Sequence, residues 1–128
     1  MEFAVAVLVL EAGFAAYTSW LSLSRPVAFA GLLGLELPAA SGVNEIRSQY
    51  GGFFLAMAVT QALSVVGVLP LETGLVVGAM TFGGLAAGRI WSVIRDGGPR
   101  HYTPTVRLLV LLDPLGFLLS AAALWAVA

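Results

Sequence analysis

Residues Thr105 to Val127 read TVRLLVLLDPLGFLLSAAALWAV, an unbroken apolar stretch whose only charges are Arg107 and Asp113. Crossing a hydrocarbon core of roughly 30 Å takes about 20 apolar residues at about 1.5 Å of helical rise each, so this stretch reads as a membrane-spanning helix. Three more stretches of that kind precede it, near Phe3 to Leu23, Asn44 to Val68 and Thr73 to Val93. The breaks between them have chemical causes. Arg25-Pro26 ends the first, Pro70 the second and Asp96-Gly97-Gly98-Pro99 the third, and Pro104 stands before the fourth. The pattern predicts an all-α, integral membrane four-helix bundle that forms a single domain over residues 1–128. The first connection contains VAFAGLLGLEL, Val27 to Leu37, which at about ten residues is too short to span and is expected to lie at the interface or re-enter.

Composition agrees with the helix reading: 59% of residues are hydrophobic, 10% are charged, and the mean hydropathy is +0.96. All six basic residues are arginines and the formal net charge is -1, so there is no basic surface for nucleic acid. Without cysteine there are no disulfides, thiolates or cysteine-bound zinc, and the single His101 cannot build a histidine metal cluster. No metal and no cofactor is expected. The start MEFAVAV is acidic where a secretory signal would be basic, and Glu11 interrupts the apolar run, so the first stretch is read as a mature helix. Arg25 falls in the first connection, Arg95 and Arg100 in the third, and Arg107 just beyond it, whereas the second connection and both tails carry none. The positive-inside rule then places those two connections in the cytoplasm and both termini outside it.

Two features of the helices point to contacts. In the third, the small residues Gly74, Gly78, Thr81, Gly84, Gly88 and Ser92 recur at three- and four-residue spacing and share one stripe. Gly74 with Gly78 and Gly84 with Gly88 are GxxxG pairs, suited to close packing inside the bundle or to self-association. In the first, Ala4, Glu11, Ala15, Thr18 and Ser22 form a milder stripe that turns Glu11 away from lipid. Tyr17 and Trp20 suit an aromatic interface belt.

Charged groups inside a membrane cost roughly 2.5–3.5 kcal/mol each on insertion scales, so they face protein and take partners. Glu45 and Arg47 are two residues apart, about 160° around a helix, and must each find a partner on a different helix. Arg89, Asp113, Glu45 and Arg47 are expected at comparable depth, in a network where the two acids neutralise the two arginines and Asn44, Gln49 and Tyr50 complete the hydrogen bonds. Pro114 bends the last helix beside Asp113 by freeing the carbonyl of Val110, as a packing kink or as the side of a pocket. Glu11, nearer the midplane, is either a hydrogen-bonded acid facing the bundle or a proton or cation site.

Asn44-Glu45-Ile46-Arg47 followed by Gln49-Tyr50-Gly51-Gly52, then Gly88-Arg89, Asp96-Gly97, Tyr102-Thr103-Pro104 and an acid in the last helix, make a combined motif. From the second helix onward the chain resembles the bacterial four-helix membrane family called domain of unknown function 4345 (DUF4345). The resemblance implies a small bacterial inner-membrane protein and marks Asn44, Glu45, Arg47, Tyr50, Gly51, Gly52, Arg89, Asp96 and Asp113 as motif positions. It implies no activity and gives Glu11 no role.

The residues contain no assembled catalytic set, with no serine–histidine or metal spacing. The first expectation is therefore a non-enzymatic structural or accessory protein, self-associating or a subunit of a larger membrane complex, with membrane lipid as its surroundings. One alternative is a binder, or a membrane enzyme, for a lipid- or quinone-like small molecule at the Asn44, Glu45, Arg47, Tyr50, Arg89, Asp96 and Asp113 cluster. Another is a small proton-coupled transporter using Glu11.

Overall fold

The computed structural model describes residues 1–128 and is all helical, with 83% of the chain in helix and no strand. It has five helices in place of the four expected. The first is α1, Glu2–Ser24, and a short α2, Pro26–Leu32, follows it at once. Next comes α3, residues 40–65, made of Ala40–Ile46, a π-helical segment Arg47–Gly52, and Phe53–Val65. The chain closes with α4, Leu71–Asp96, and α5, Pro104–Val127. Glu2–Ser24, Leu71–Asp96 and Pro104–Val127 are each long and apolar enough to cross a membrane.

The extra helix has a simple cause. Pro26 cannot donate to the ladder of α1, so α1 stops at Ser24, and proline's fixed φ suits the first turn of a new helix. The first part of the apolar Val27 to Leu37 stretch thus forms α2, which buries Phe29 and Ala30 against Ile46. The second expected helix begins four residues early and ends three residues early, because its C-terminal turn unwinds at Gly67, whose φ of 79° suits only glycine.

The π-segment interrupts what the sequence pattern predicts as one regular helix. The i→i+5 bonding widens the helix there, and Ser19 of α1 donates 2.8 Å to the Gly51 carbonyl within the segment. The backbones approach closely there: a Cβ on Gly51 would stand 2.5 Å from Leu23 Cδ2. Gly51 is therefore packed against α1, whereas a Cβ on Gly52 would meet no side chain.

In the assembled bundle α4 lies along α5, and α1 lies along the Phe53–Val65 part of α3. Ala4, Val7, Leu8, Leu75 and Ala123 pack one end, and Ala15, Phe54, Met57, Ala58 and Phe82 pack the middle. The stripe Ala4, Glu11, Ala15, Thr18 and Ser22 is buried throughout, as its spacing predicts. Large apolar side chains such as Leu10, Val59, Met80, Leu111 and Trp125 are exposed on the outside, the surface that a lipid-facing bundle presents.

The glycine stripe of α4 serves two different purposes. A Cβ on Gly74 would meet Leu8 and Ser64, and one on Gly78 would collide with Glu11 and Ser120, so these two glycines are packed against their neighbours. A Cβ on Gly84 or Gly88 would meet nothing within 4 Å.

Candidate functional site

Polar side chains gather at two levels of the bundle. At the first, Arg89 of α4 donates from Nε to Oδ2 of Asp113 on α5, the one salt bridge in the structure. The partners differ in exposure: the Asp113 side chain is 1% exposed and that of Arg89 22%. The pair leaves no net charge, and charge-assisted bonding of this kind offsets part of the desolvation of both groups.

The expected four-charge network is thus half formed. Glu45 and Asn44 are exposed near the start of α3 and join no salt bridge. Arg47 donates to the Leu23 carbonyl at 3.4 Å, capping the last turn of α1 where unsatisfied carbonyls and the negative end of the helix dipole favour a cation. The reason is the π-segment, which begins at Arg47 and so alters the register between Glu45, Arg47 and the rest of the helix. Asp96, at the end of α4, accepts from the Tyr102 hydroxyl in the loop, which holds the phenol above its ordinary pKa. Tyr50 turns inward, its ring 5.1 Å from Phe29 and stacked at 6.3 Å on Phe54.

Arg89, Asp113 and Tyr50 line a cavity of about 150 Å³ to which every helix contributes, with Phe14, Phe29 and Phe54 among its apolar walls. Arg89 and Asp113 are its only charged residues. Leu33, Tyr50, Leu85 and Arg89 also line a wider, more polar opening of about 570 Å³ that runs past Gly84 and Gly88 to Asp96 and Tyr102. Absent side chains at Gly84 and Gly88 leave that approach clear. Thr103 fixes its end: Thr103 Oγ1 donates 2.6 Å to the Leu32 carbonyl of α2 and accepts from the Val106 amide, which caps α5. A short apolar helix is in this way held over the cavity.

The second level lies deeper. Glu11, 3% exposed, accepts 2.7 Å from Gln61 Nε2 on α3 and 2.6 Å from Ser120 Oγ on α5, with Gly78 of α4 beside it. All four long helices meet there. Gln61 is fully buried, and its Oε1 is the one buried side-chain polar atom without a partner.

Neither Gln61 nor Ser120 stands out in a reading of charges, although both left a signal. Phe54, Met57, Ala58, Gln61 and Ser64 recur at helical spacing, as do Asp113, Gly116, Ser120 and Ala123, and every one of them is buried.

The family model for Domain of unknown function (DUF4345) matches residues 3–112, and the chain belongs to that family. The match includes Glu11, Gln61 and Arg89 and stops just short of Asp113. No curated protein and no solved structure matches the chain.

Proposed function

Starting from membership of the DUF4345 family, we propose that this protein is a non-enzymatic binder of a neutral, lipid- or quinone-like amphiphile in the bacterial inner membrane. The observation that carries the reading is the cavity itself: apolar and aromatic walls from all the helices converge on one charge-neutral Arg89–Asp113 pair. Small-molecule sites are typically largely apolar concavities with a few fixed polar groups. A neutral head group suits this one, because an anion would have to compete with Asp113 for Arg89. Arginine N–H groups can donate to a head-group carbonyl, and the Asp113 carboxylate can accept from a hydroxyl. The opening past Gly84 and Gly88 gives the route in.

In this reading 40–65 is a fourth membrane span, completing a four-helix bundle with α2 as a cover. All six arginines lie in the end of the bundle that carries the first and third connections. That end faces the cytoplasm by the positive-inside rule, and both termini face away from it.

The test uses the full chain in mild detergent, titrated with a short-tailed quinone and, separately, with phosphatidic acid of matched tail length, read by tryptophan fluorescence. The quinone is expected to bind saturably and more tightly than the anion. Gly88→Leu fills the opening without touching the core and is expected to weaken quinone binding at least about tenfold, roughly 1.4 kcal/mol, in a protein that melts like the parent. Absence of saturable quinone binding, or binding unchanged by Gly88→Leu, would exclude this site.

A further inference from the structure

Glu11 differs from Asp113 in having no counter-charge. Its neighbours from the helices packed around it are Gln61 on α3, Gly78 on α4 and Ser120 on α5, all neutral. The titratable and charged groups of those elements lie elsewhere. Glu2 is at the far end of its own helix, Tyr17 is turned outward, Glu45 and Arg47 stand near the other end of α3, and Glu72 is in the first turn of α4. Arg89 is committed to Asp113, which lies about two turns from Ser120 along α5.

A buried carboxylate with no cation among its neighbours is costly in a membrane, and the remedy is a cation from outside the chain. The Gln61 amide points to the same remedy. While its Nε2 donates to Glu11 the Oε1 is stranded without a partner, although the residue is fully buried. A cation on the carboxylate gives that oxygen a partner, because the amide can turn and present it. A proton would then bridge carboxyl and amide oxygen as an O–H···O bond, and a sodium-sized ion would take both oxygens and the Ser120 hydroxyl as hard ligands. Glu11 also lines a separate, almost wholly apolar cavity of about 240 Å³, with Leu10, Phe14, Leu115 and Leu119 among its walls, that opens between α1 and α5. The carboxyl can thus be reached by a small apolar reagent. We propose that Glu11, Gln61 and Ser120 form a monovalent-cation site in which a proton or a sodium-sized ion bridges the Glu11 carboxylate and the Gln61 amide oxygen.

Dicyclohexylcarbodiimide is the probe, since it adds the O–H of a protonated carboxyl across one of its C=N bonds and nothing leaves. The full chain in mild detergent is labelled across a pH series, in sodium chloride or in choline chloride of equal ionic strength, and the adduct is located by mass spectrometry. The expected result is one adduct on Glu11, absent in Glu11→Gln, with Asp113 unlabelled because Arg89 holds it. If the natural occupant is a proton, the rate falls about tenfold per pH unit above the midpoint in either salt. If it is a sodium-sized ion, sodium chloride slows labelling at fixed pH and choline chloride does not. Gln61→Leu, or Ser120→Ala should the first fail to fold, is expected to move that pH or sodium midpoint by about tenfold, the equivalent of one pH unit. The proposal is overturned if folded protein shows no Glu11 adduct at any pH, if labelling is indifferent to both pH and sodium, or if the folded variant leaves the midpoint where it was.

Discussion

Ser120 donates a 2.6 Å hydrogen bond to Glu11 across 109 residues of sequence, tying the last helix to the first inside the bundle. Bonds between side chains of membrane helices average about 0.6 kcal/mol and reach about 1.7. A fully buried donor on a carboxyl acceptor belongs near the upper limit. Ser120→Ala should therefore lower stability by about 1.5 kcal/mol in a detergent unfolding titration, and an unchanged midpoint would show that the bond contributes nothing.

Arg89 and Asp113 should respond unequally to truncation. Removing one partner of a buried pair costs about 3–5 kcal/mol because the other is left charged and desolvated. Arg89→Ala strands the carboxylate that is 1% exposed, whereas Asp113→Ala strands a guanidinium that is 22% exposed and can bend toward the surface. We expect Arg89→Ala to be the more destabilising, and the double variant to recover part of that loss. Thermal melts of the two single variants and the double variant decide it, and an order reversed from this one would remove the exposure argument.

The two halves of the α4 glycine stripe should behave oppositely. Gly78→Ala places a methyl among Glu11, Ser120 and Gln61 and should cost about 1–3 kcal/mol by overpacking. Gly84→Ala enters open space on a regular helix and should gain about 0.5–1 kcal/mol through the reduced freedom of the unfolded chain. Comparing the two unfolding midpoints tests whether the stripe divides where the structure divides it.

Tyr102 provides a pH dependence outside the membrane-spanning segments. Its hydrogen bond to Asp96 favours the neutral phenol and raises its pKa above the ordinary 10.0. The contribution of the bond is thus complete below that value and is lost as pH rises through the higher folded-state value. Tyrosinate absorbance of the parent minus that of Tyr102→Phe should show one phenol ionising later in the folded protein than in denaturant. Coincident curves would mean that the loop does not hold the pair together in solution.

Local chemistry along the chain sets the class of molecule and most of its segmentation. Apolar runs of membrane-spanning length, ended by Pro26, Pro70 and Gly97, can only be buried in lipid or in one another, so the helices follow from local chemistry. The stripe through Glu11 in α1 and the attraction of Arg89 for an acid were legible for the same reason: spacing along one helix, or a buried charge, tells a reader that a partner must exist. Which partner it is depends on how helices rotate and slide against one another, and that is a property of the assembled bundle. The π-segment at Arg47–Gly52 turned Arg47 to the end of α1 and left Glu45 outside, and α2 folded back over the cavity. Gln61 and Ser120 meet Glu11 because all four long helices come together beside Gly78, a coincidence in space that no local pattern encodes.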